Sequence, residues 1–143
     1  MRIADLLLET GGGIFLVLGL LHGVYTALDL RRPRRLVPDD PAVSAAMARS
    51  HLRLAGRRTT MWQAWVGFNF SHSLGVVLFG ALCIATGIAG AALPLPGFVL
   101  LAFAAIGLAY VVIGAKYWFR VPIACAAAGT ALLFAAWLAR VSS

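Results

Sequence analysis

Four long apolar stretches alternate with short polar stretches along the chain. Residues 11–30, 61–90, 98–117 and 122–140 each contain at most one Asp, Glu, Lys or Arg. A helix of about 20 apolar residues is long enough to cross the hydrocarbon layer of a membrane. The pattern therefore predicts an all-α integral membrane protein, a four-helix bundle formed by a single transmembrane domain over residues 1–143.

Local sequence signals indicate where the first helix starts and where two later connections between helices lie. Residues 1–10 hold Arg2, Asp5 and Glu9, and we interpret them as an amphipathic segment before a first helix that starts flexibly at residues 11–13. A cleaved signal peptide has a basic region before its apolar core, so two acids at this place favour an uncleaved first span. The uncharged run of residues 93–97 is expected to be a tight turn, and residues 116–120 a hinge at the membrane interface.

The polar segment between the first two spans has helix signals of its own. Asp40 followed by Pro41 is typical of a helix N-cap with proline at the first helical position, and predicts a short interfacial helix over residues 41–55. Thr60 and Gln63 have the spacing of a capping box, in which each side chain bonds the backbone of the other residue. We therefore expect the second span to begin directly after Thr60.

Composition excludes most water-soluble classes. The chain is 62% hydrophobic and 12% charged, against about 25% charged in a soluble domain. The net charge of +7 does not indicate nucleic acid binding, because the chain offers no folded module that reads DNA or RNA. We expect the partners to be the lipid bilayer and its anionic lipids, at an arginine-rich first loop. Its eight arginines are Arg31, Arg32, Arg34, Arg35, Arg49, Arg53, Arg57 and Arg58.

The distribution of basic residues also predicts an orientation. Loops 31–60 and 116–120 carry ten of the twelve basic side chains, and the other side of the membrane carries Arg2 and Arg140. Cytoplasmic loops are the ones enriched in lysine and arginine. The sequence thus predicts a multi-pass protein of the bacterial inner (plasma) membrane, with both of these loops in the cytoplasm and both termini outside.

Polar side chains inside the first two spans indicate a candidate site. His22, Tyr25, Thr26 and Asp29 follow helical spacing, and so do Trp65, Asn69 and His72, with Ser73 beside them. Both histidines lie roughly 10–15 Å from the cytoplasmic edge at 1.5 Å per residue, so we expect them to meet inside the bundle. The predicted ligand-binding residues are His22, Tyr25, Thr26, Trp65, Asn69, His72 and Ser73.

Several interpretations of this polar layer stay open. One is a buried site for a small or lipid-like ligand. A second is packing alone, in a homo-oligomer or an accessory subunit of a larger membrane complex, because polar side chains commonly bond across membrane helices. A third is haem b held by His22 and His72 as axial ligands. Asp29 is expected to be a solvated helix end neutralised by Arg31, Arg32 or Arg35. We assign no catalytic residue and no metal site.

The run from Thr60 to Gly75 contains Trp65-Val66-Gly67-Phe68-Asn69-Phe70-Ser71-His72-Ser73-Leu74-Gly75. It resembles a W-x-G-F-N-x-S-H-x-x-G signature in the second span of a family of small, uncharacterised four-helix bacterial membrane proteins. His22-Gly23 and the arginine-rich loop are similar too, while the second half of the chain is similar only in its hydrophobic spans. The resemblance implies a functional site around Asn69 and His72 and carries no mechanism with it.

Overall fold

The structure, a computed structural model, describes residues 2–93 and 95–142. Within these ranges the regular elements are helical: α1 (Ile3–Asp29), α2 (Pro41–Arg49), α3 (Met61–Ala89), α4 (Gly97–Tyr117) and α5 (Arg120–Val141), with two short 3-10 turns at Arg53–Ala55 and Gly90–Ala92. Among the described residues, α1, α3, α4 and α5 are long and apolar enough to cross a membrane. The predicted fold class, an all-α membrane bundle of four long helices, is confirmed, and the chain has the elements of a multi-pass membrane protein.

Helix α1 begins at Ile3, earlier than residue 11, where the sequence suggested a start. Asp5 lies in its first turn, where the unpaired backbone N–H groups of a helix favour a negative charge. The glycines at 11–13 do not form a flexible start, because they continue the helix. Asp5 and Glu9, which the sequence pattern placed before the first helix, therefore lie within α1.

The chain folds as two compact units. The first, unit 1, comprises residues up to Leu18 and residues from Val76 onward, and the second, unit 2, comprises Gly19–Gly75. Unit 1 contains a core of aromatic and aliphatic side chains, in which Phe15 meets Phe79 edge to face with 5.0 Å between ring centroids. The largest of its fully buried side chains are Leu8, Phe15, Cys83, Leu100 and Leu133.

Glycines let the backbones of α1 and α3 touch within unit 1. A Cβ added at Gly12 would lie 2.7 Å from the carbonyl oxygen of Gly80, and one added at Gly80 would meet the backbone nitrogen of Leu16. Small residues at helix contacts are typical of membrane bundles, where close van der Waals packing holds helices together. These glycines therefore fix the spacing of the two helices in unit 1.

Unit 2 consists of the end of α1, the polar connection and the start of α3. The connection differs from the prediction, because α2 ends at Arg49 and not at residue 55. Beyond it, His51 and Thr60 form an antiparallel bridge, and Gly56 turns the chain with φ +58°. The predicted cap is confirmed, since Ala42 N donates to Asp40 Oδ1 at 2.7 Å.

The remaining connections lie in unit 1. Helix α3 ends at Ala89 and is followed by Gly90 with φ +50°. Of the turn expected at residues 93–97, Pro94 lies outside the described residues, and α4 begins at Gly97. Helices α4 and α5 are separated only by Trp118 and Phe119, within the predicted hinge at residues 116–120.

Candidate functional site

The start of α3 is fixed by the predicted capping box, which the structure confirms. Thr60 N donates to Gln63 Oε1 at 2.9 Å, and Gln63 N donates to Thr60 Oγ1 at 3.2 Å. This reciprocal pair satisfies two N–H groups that a helix start otherwise leaves without partners. It sets the phase of α3 and therefore the face on which Asn69 and His72 lie.

The end of α1 and the start of α3 run antiparallel within unit 2. Ser73 donates its hydroxyl to the carbonyl oxygen of Gly19 at 2.7 Å, and three residues later in α1, His22 pairs with Asn69, four residues earlier in α3. A Cβ added at Gly23 would lie 2.5 Å from Ser73 Oγ. The glycine therefore leaves room for the Ser73 hydroxyl in its bond to Gly19.

His22 and Asn69 form the central contact of the site. His22 Nε2 lies 2.9 Å from Asn69 Oδ1, and the Asn69 amide nitrogen donates to the carbonyl oxygen of Trp65 at 2.8 Å. Because the amide nitrogen is used in this way, Oδ1 is the acceptor toward His22, and the imidazole must carry its hydrogen on Nε2. Asn69, which is buried, thus fixes both the orientation and the tautomer of His22.

His72 packs directly against His22. Their ring centroids are 5.3 Å apart, and the rings are nearly perpendicular at 79°. His72 also contacts Phe68, whose ring is almost parallel at 6.0 Å and 11°. Both imidazoles are half-buried within the chain, whereas the Phe68 side chain is 63% exposed. We call His22 and His72 the imidazole pair; its accessible edge adjoins an exposed aromatic ring.

The other predicted site residues have different surroundings. The buried Thr26 hydroxyl donates to the carbonyl oxygen of His22 at 2.9 Å, within its own helix. Trp65 donates its indole N–H to the carbonyl oxygen of Leu36 at 3.0 Å, and Tyr25 has the Arg35 guanidinium 4.9 Å above its ring. Tyr25 and Trp65 therefore contact the connection after α1, while Asn69 and the imidazole pair contact one another.

A small, half-open cleft lies next to Asn69. Its volume of about 10 Å³ is room for roughly one water molecule, whereas pockets for drug-sized ligands measure about 300–1,000 Å³. The cleft is therefore no ligand pocket of that size, and the imidazole pair does not line it. The lining residues are Thr26, Asp29, Leu30, Leu36, Val37, Trp62, Trp65, Val66 and Asn69.

Asp29 was wrongly interpreted as a solvated helix end. Its side chain is buried, at 4% exposure, and its carboxylate accepts from three backbone N–H groups: Arg34 at 3.1 Å, Arg35 at 3.1 and 3.2 Å, and Leu36 at 2.6 Å. Backbone hydrogen bonds are its direct partners, and of the arginines expected to neutralise it, Arg35 acts on it through space. The available signal was a helix-terminal aspartate followed, after Leu30, by Arg-Arg-Pro-Arg-Arg, since proline ends the helix and returns the chain.

The arrangement does not fit a bis-histidine haem. Axial ligation needs two imidazole nitrogens directed at one iron from opposite faces of the macrocycle. Here the two rings touch edge to face, and His22 Nε2 is bonded to Asn69. Gly23, next to His22 in the sequence, lies against Ser73 and not against open space. Across residues 2–93 and 95–142, no three His, Cys, Asp or Glu side chains are grouped closely enough to hold a metal ion.

No protein-family model, curated protein or solved structure matches the chain. The resemblance of residues 60–75 to a family signature therefore stays a prediction from the sequence. The polar contacts within unit 2, among Asn69, His22 and His72, are the features that bear on function.

Proposed function

We propose that the protein binds a small lipid-like molecule at the imidazole pair, with Asn69 as the residue that positions His22. The observation that supports this most strongly is the contact of two half-buried imidazoles inside helices of membrane-spanning length, one of them held in a defined tautomer by a buried amide. Polar and ionisable groups at such depth are costly and commonly mark a functional site.

The hydrogen bonds show which polar side chains join the two helices. Ser73 and Asn69 bond from α3 to α1 and stabilise the helix pair, as polar side chains in membranes often do, whereas Thr26 bonds within α1. With Nε2 of His22 used as a donor toward Asn69, its Nδ1 is the nitrogen that faces away from this bond, and His72 adds a second imidazole beside it.

The surroundings indicate the type of ligand. Because both rings of the imidazole pair are half-buried and present only an edge, a ligand that bonds them keeps most of its bulk outside the helix pair. An amphiphile meets this condition: its polar head bonds the imidazole pair, and its apolar part lies along exposed side chains such as Phe68. The proposed ligand is thus a bilayer component with a hydrogen-bonding head.

The proposal includes an orientation and a compartment. The eight arginines of the connection between α1 and α3 are all exposed, and basic loops remain on the cytoplasmic side. We place the protein in the inner membrane of a bacterium, with loops 31–60 and 116–120 inside and both termini outside. The imidazole pair then lies in the cytoplasmic half of the membrane.

Native mass spectrometry of gently purified protein exposed to a total bacterial lipid extract tests the binding function. The wild type is expected to retain one class of amphiphile, and His22→Ala and His72→Ala are expected to lose it while remaining folded. Ser71→Ala is the matched control, because Ser71 is exposed and bonds only to its own helix at Phe68. Equal retention in all four proteins would defeat the proposal.

An accessory role in a larger membrane complex is the competing function. It is favoured by the fact that Asn69, Ser73 and Thr26 already have partners within the chain. In that case the polar layer only packs, and purification in a mild detergent yields a defined assembly of larger mass, either with other proteins or with copies of this chain. The histidine variants would then leave lipid retention unchanged.

A further inference from the structure

The connection that follows α1 is held in a fixed conformation by one carboxylate. Asp29 accepts the backbone N–H groups of Arg34, Arg35 and Leu36. The carbonyl oxygen of Leu36 accepts in turn from the indole of Trp65, at 3.0 Å. Both ends of this short segment are therefore tied to helices of unit 2.

The side chains of this segment carry charge that the protein does not neutralise. Arg31, Arg32, Arg34 and Arg35 are all exposed, and we call them the arginine loop. Among the described residues, the ion pairs join only Arg2 and Arg140 to Asp5, in unit 1. Because the oxygens of Asp29 accept backbone N–H groups, this carboxylate forms no ion pair with the four guanidinium groups and acts on Arg35 only through space.

The other two acids of unit 2 are also engaged elsewhere. Asp40 accepts from Ala42 N and caps α2, and Asp39 accepts from the backbone of Asp40. The Arg35 guanidinium lies over the Tyr25 ring at 4.9 Å, a cation–π arrangement that leaves its N–H donors free to bond an anion. The arginine loop is thus a group of exposed cations, with the backbone of Arg34 and Arg35 held by Asp29, directly after a helix of membrane-spanning length.

We propose that the arginine loop binds the phosphate of an anionic phospholipid headgroup, with Asp29 as the positioning residue. Guanidinium groups bond phosphate oxygens in pairs, which suits them to this ligand more than a point charge does. The loop begins two residues after the end of α1, so it lies at headgroup level when α1 spans a bilayer. Basic groups at this level attract anionic lipids. This site is separate from the imidazole pair.

Titration of the detergent-solubilised protein with phosphatidylglycerol or phosphatidylcholine, followed by native mass spectrometry, tests the proposal. Phosphatidylglycerol is expected to bind more tightly, and Arg34→Gln/Arg35→Gln is expected to weaken it by about tenfold or more. The matched control is Arg57→Gln/Arg58→Gln, which removes the same charge from exposed positions outside the loop. If both double variants weakened phosphatidylglycerol binding equally, the site would be refuted, because net charge alone would then explain the loss of affinity. Displacement of the lipid by millimolar inorganic phosphate would overturn the assignment to a lipid.

Asp29→Asn distinguishes a positioning role from simple electrostatics, because the two predict opposite changes in the affinity for an anionic lipid. Removing a negative charge next to four arginines should tighten binding of an anionic lipid if loop conformation is irrelevant. If Asp29 holds the loop, an amide that offers one acceptor oxygen in place of two should weaken binding, and Asp29→Glu should restore part of it. Thermal unfolding of each variant shows that the protein remains folded. Tighter binding by Asp29→Asn would contradict the positioning role.

Discussion

His22 Nε2 and Asn69 Oδ1 lie 2.9 Å apart, although 47 residues separate them in the chain. The contact joins α1 to α3 within unit 2 and orients the imidazole that meets His72. Loss of either partner should therefore lower the stability of the helix pair, and loss of Asn69 should also release the tautomer of His22.

A double-mutant cycle with His22→Ala and Asn69→Ala measures this contact. We expect a coupling free energy of about 1 kcal/mol, typical of hydrogen bonds between membrane helices. The measurement is the free energy of unfolding in mixed micelles. A cycle of His22→Ala with Ser71→Ala is the control and should show coupling within about 0.5 kcal/mol of zero. Strictly additive effects of His22→Ala and Asn69→Ala would show that the contact contributes nothing.

Gly23→Ala tests the close approach of α1 and α3 in unit 2. The added Cβ would force the Ser73 hydroxyl away from the carbonyl oxygen of Gly19, and we expect a loss of about 1 kcal/mol in the free energy of unfolding. In a Ser73→Ala background the same change should cost much less, since the displaced oxygen is gone. Gly67→Ala, where nothing lies within 4 Å of the new Cβ, is the control. Equal losses at both glycines would refute the steric argument.

The ion pair of Asp5 and Arg140 is expected to be the main polar contact at its end of unit 1. Arg140 Nη2 lies 3.2 Å from Asp5 Oδ1, and the two side chains are 14% and 5% exposed. Arg140→Met removes one partner of a buried pair, and we expect a loss of about 3 kcal/mol in the free energy of unfolding.

Arg2→Met is the matched control for this ion pair. Arg2 also contacts Asp5, but its side chain is 44% exposed, and pairs of this kind contribute about 0–1 kcal/mol. Similar losses for Arg2→Met and Arg140→Met would contradict the distinction between the two contacts.

The proposed orientation is tested by cysteine labelling in intact cells. A membrane-impermeant maleimide should label Ser142→Cys from outside, and should label Arg57→Cys only after the membrane is permeabilised. The wild type measures the background labelling of its own cysteines, Cys83, which is buried, and Cys125. Labelling of Arg57→Cys in intact cells would reverse the topology.

The positions of the long helices and of the two histidines could be predicted because they depend on local patterns. The length of an apolar segment indicates a membrane span, and the Thr60–Gln63 capping box indicates where a helix starts. The rise per residue along a helix places His22 and His72 at a similar level. The start of α1 was placed too late because the charge of Asp5 is balanced by Arg2, three residues away, and by Arg140, which lies 135 residues away in sequence. No local pattern shows the second of these partners.

The details of the site depend on contacts that spacing does not encode. Helical periodicity placed Tyr25 and Trp65 beside Asn69 and His72, but the structure directs both toward the connection after α1, where Arg35 and Leu36 provide partners. The burial of Asp29 follows from the return of the chain after Pro33. The number of nearby arginines favoured guanidinium groups as the partners of the Asp29 carboxylate, whereas its hydrogen-bond donors in the structure are backbone N–H groups.

Photo-crosslinking from the position of Phe68 tests the central claim most directly. Benzoylphenylalanine at 68 would lie next to His72, and at the similarly exposed Leu74 it samples bulk lipid. We predict that position 68 captures one lipid species far above its share of the membrane, that position 74 captures the bulk mixture, and that His72→Ala abolishes the enrichment. The same lipid mixture at both positions, unchanged by His72→Ala, would contradict a ligand site at the imidazole pair.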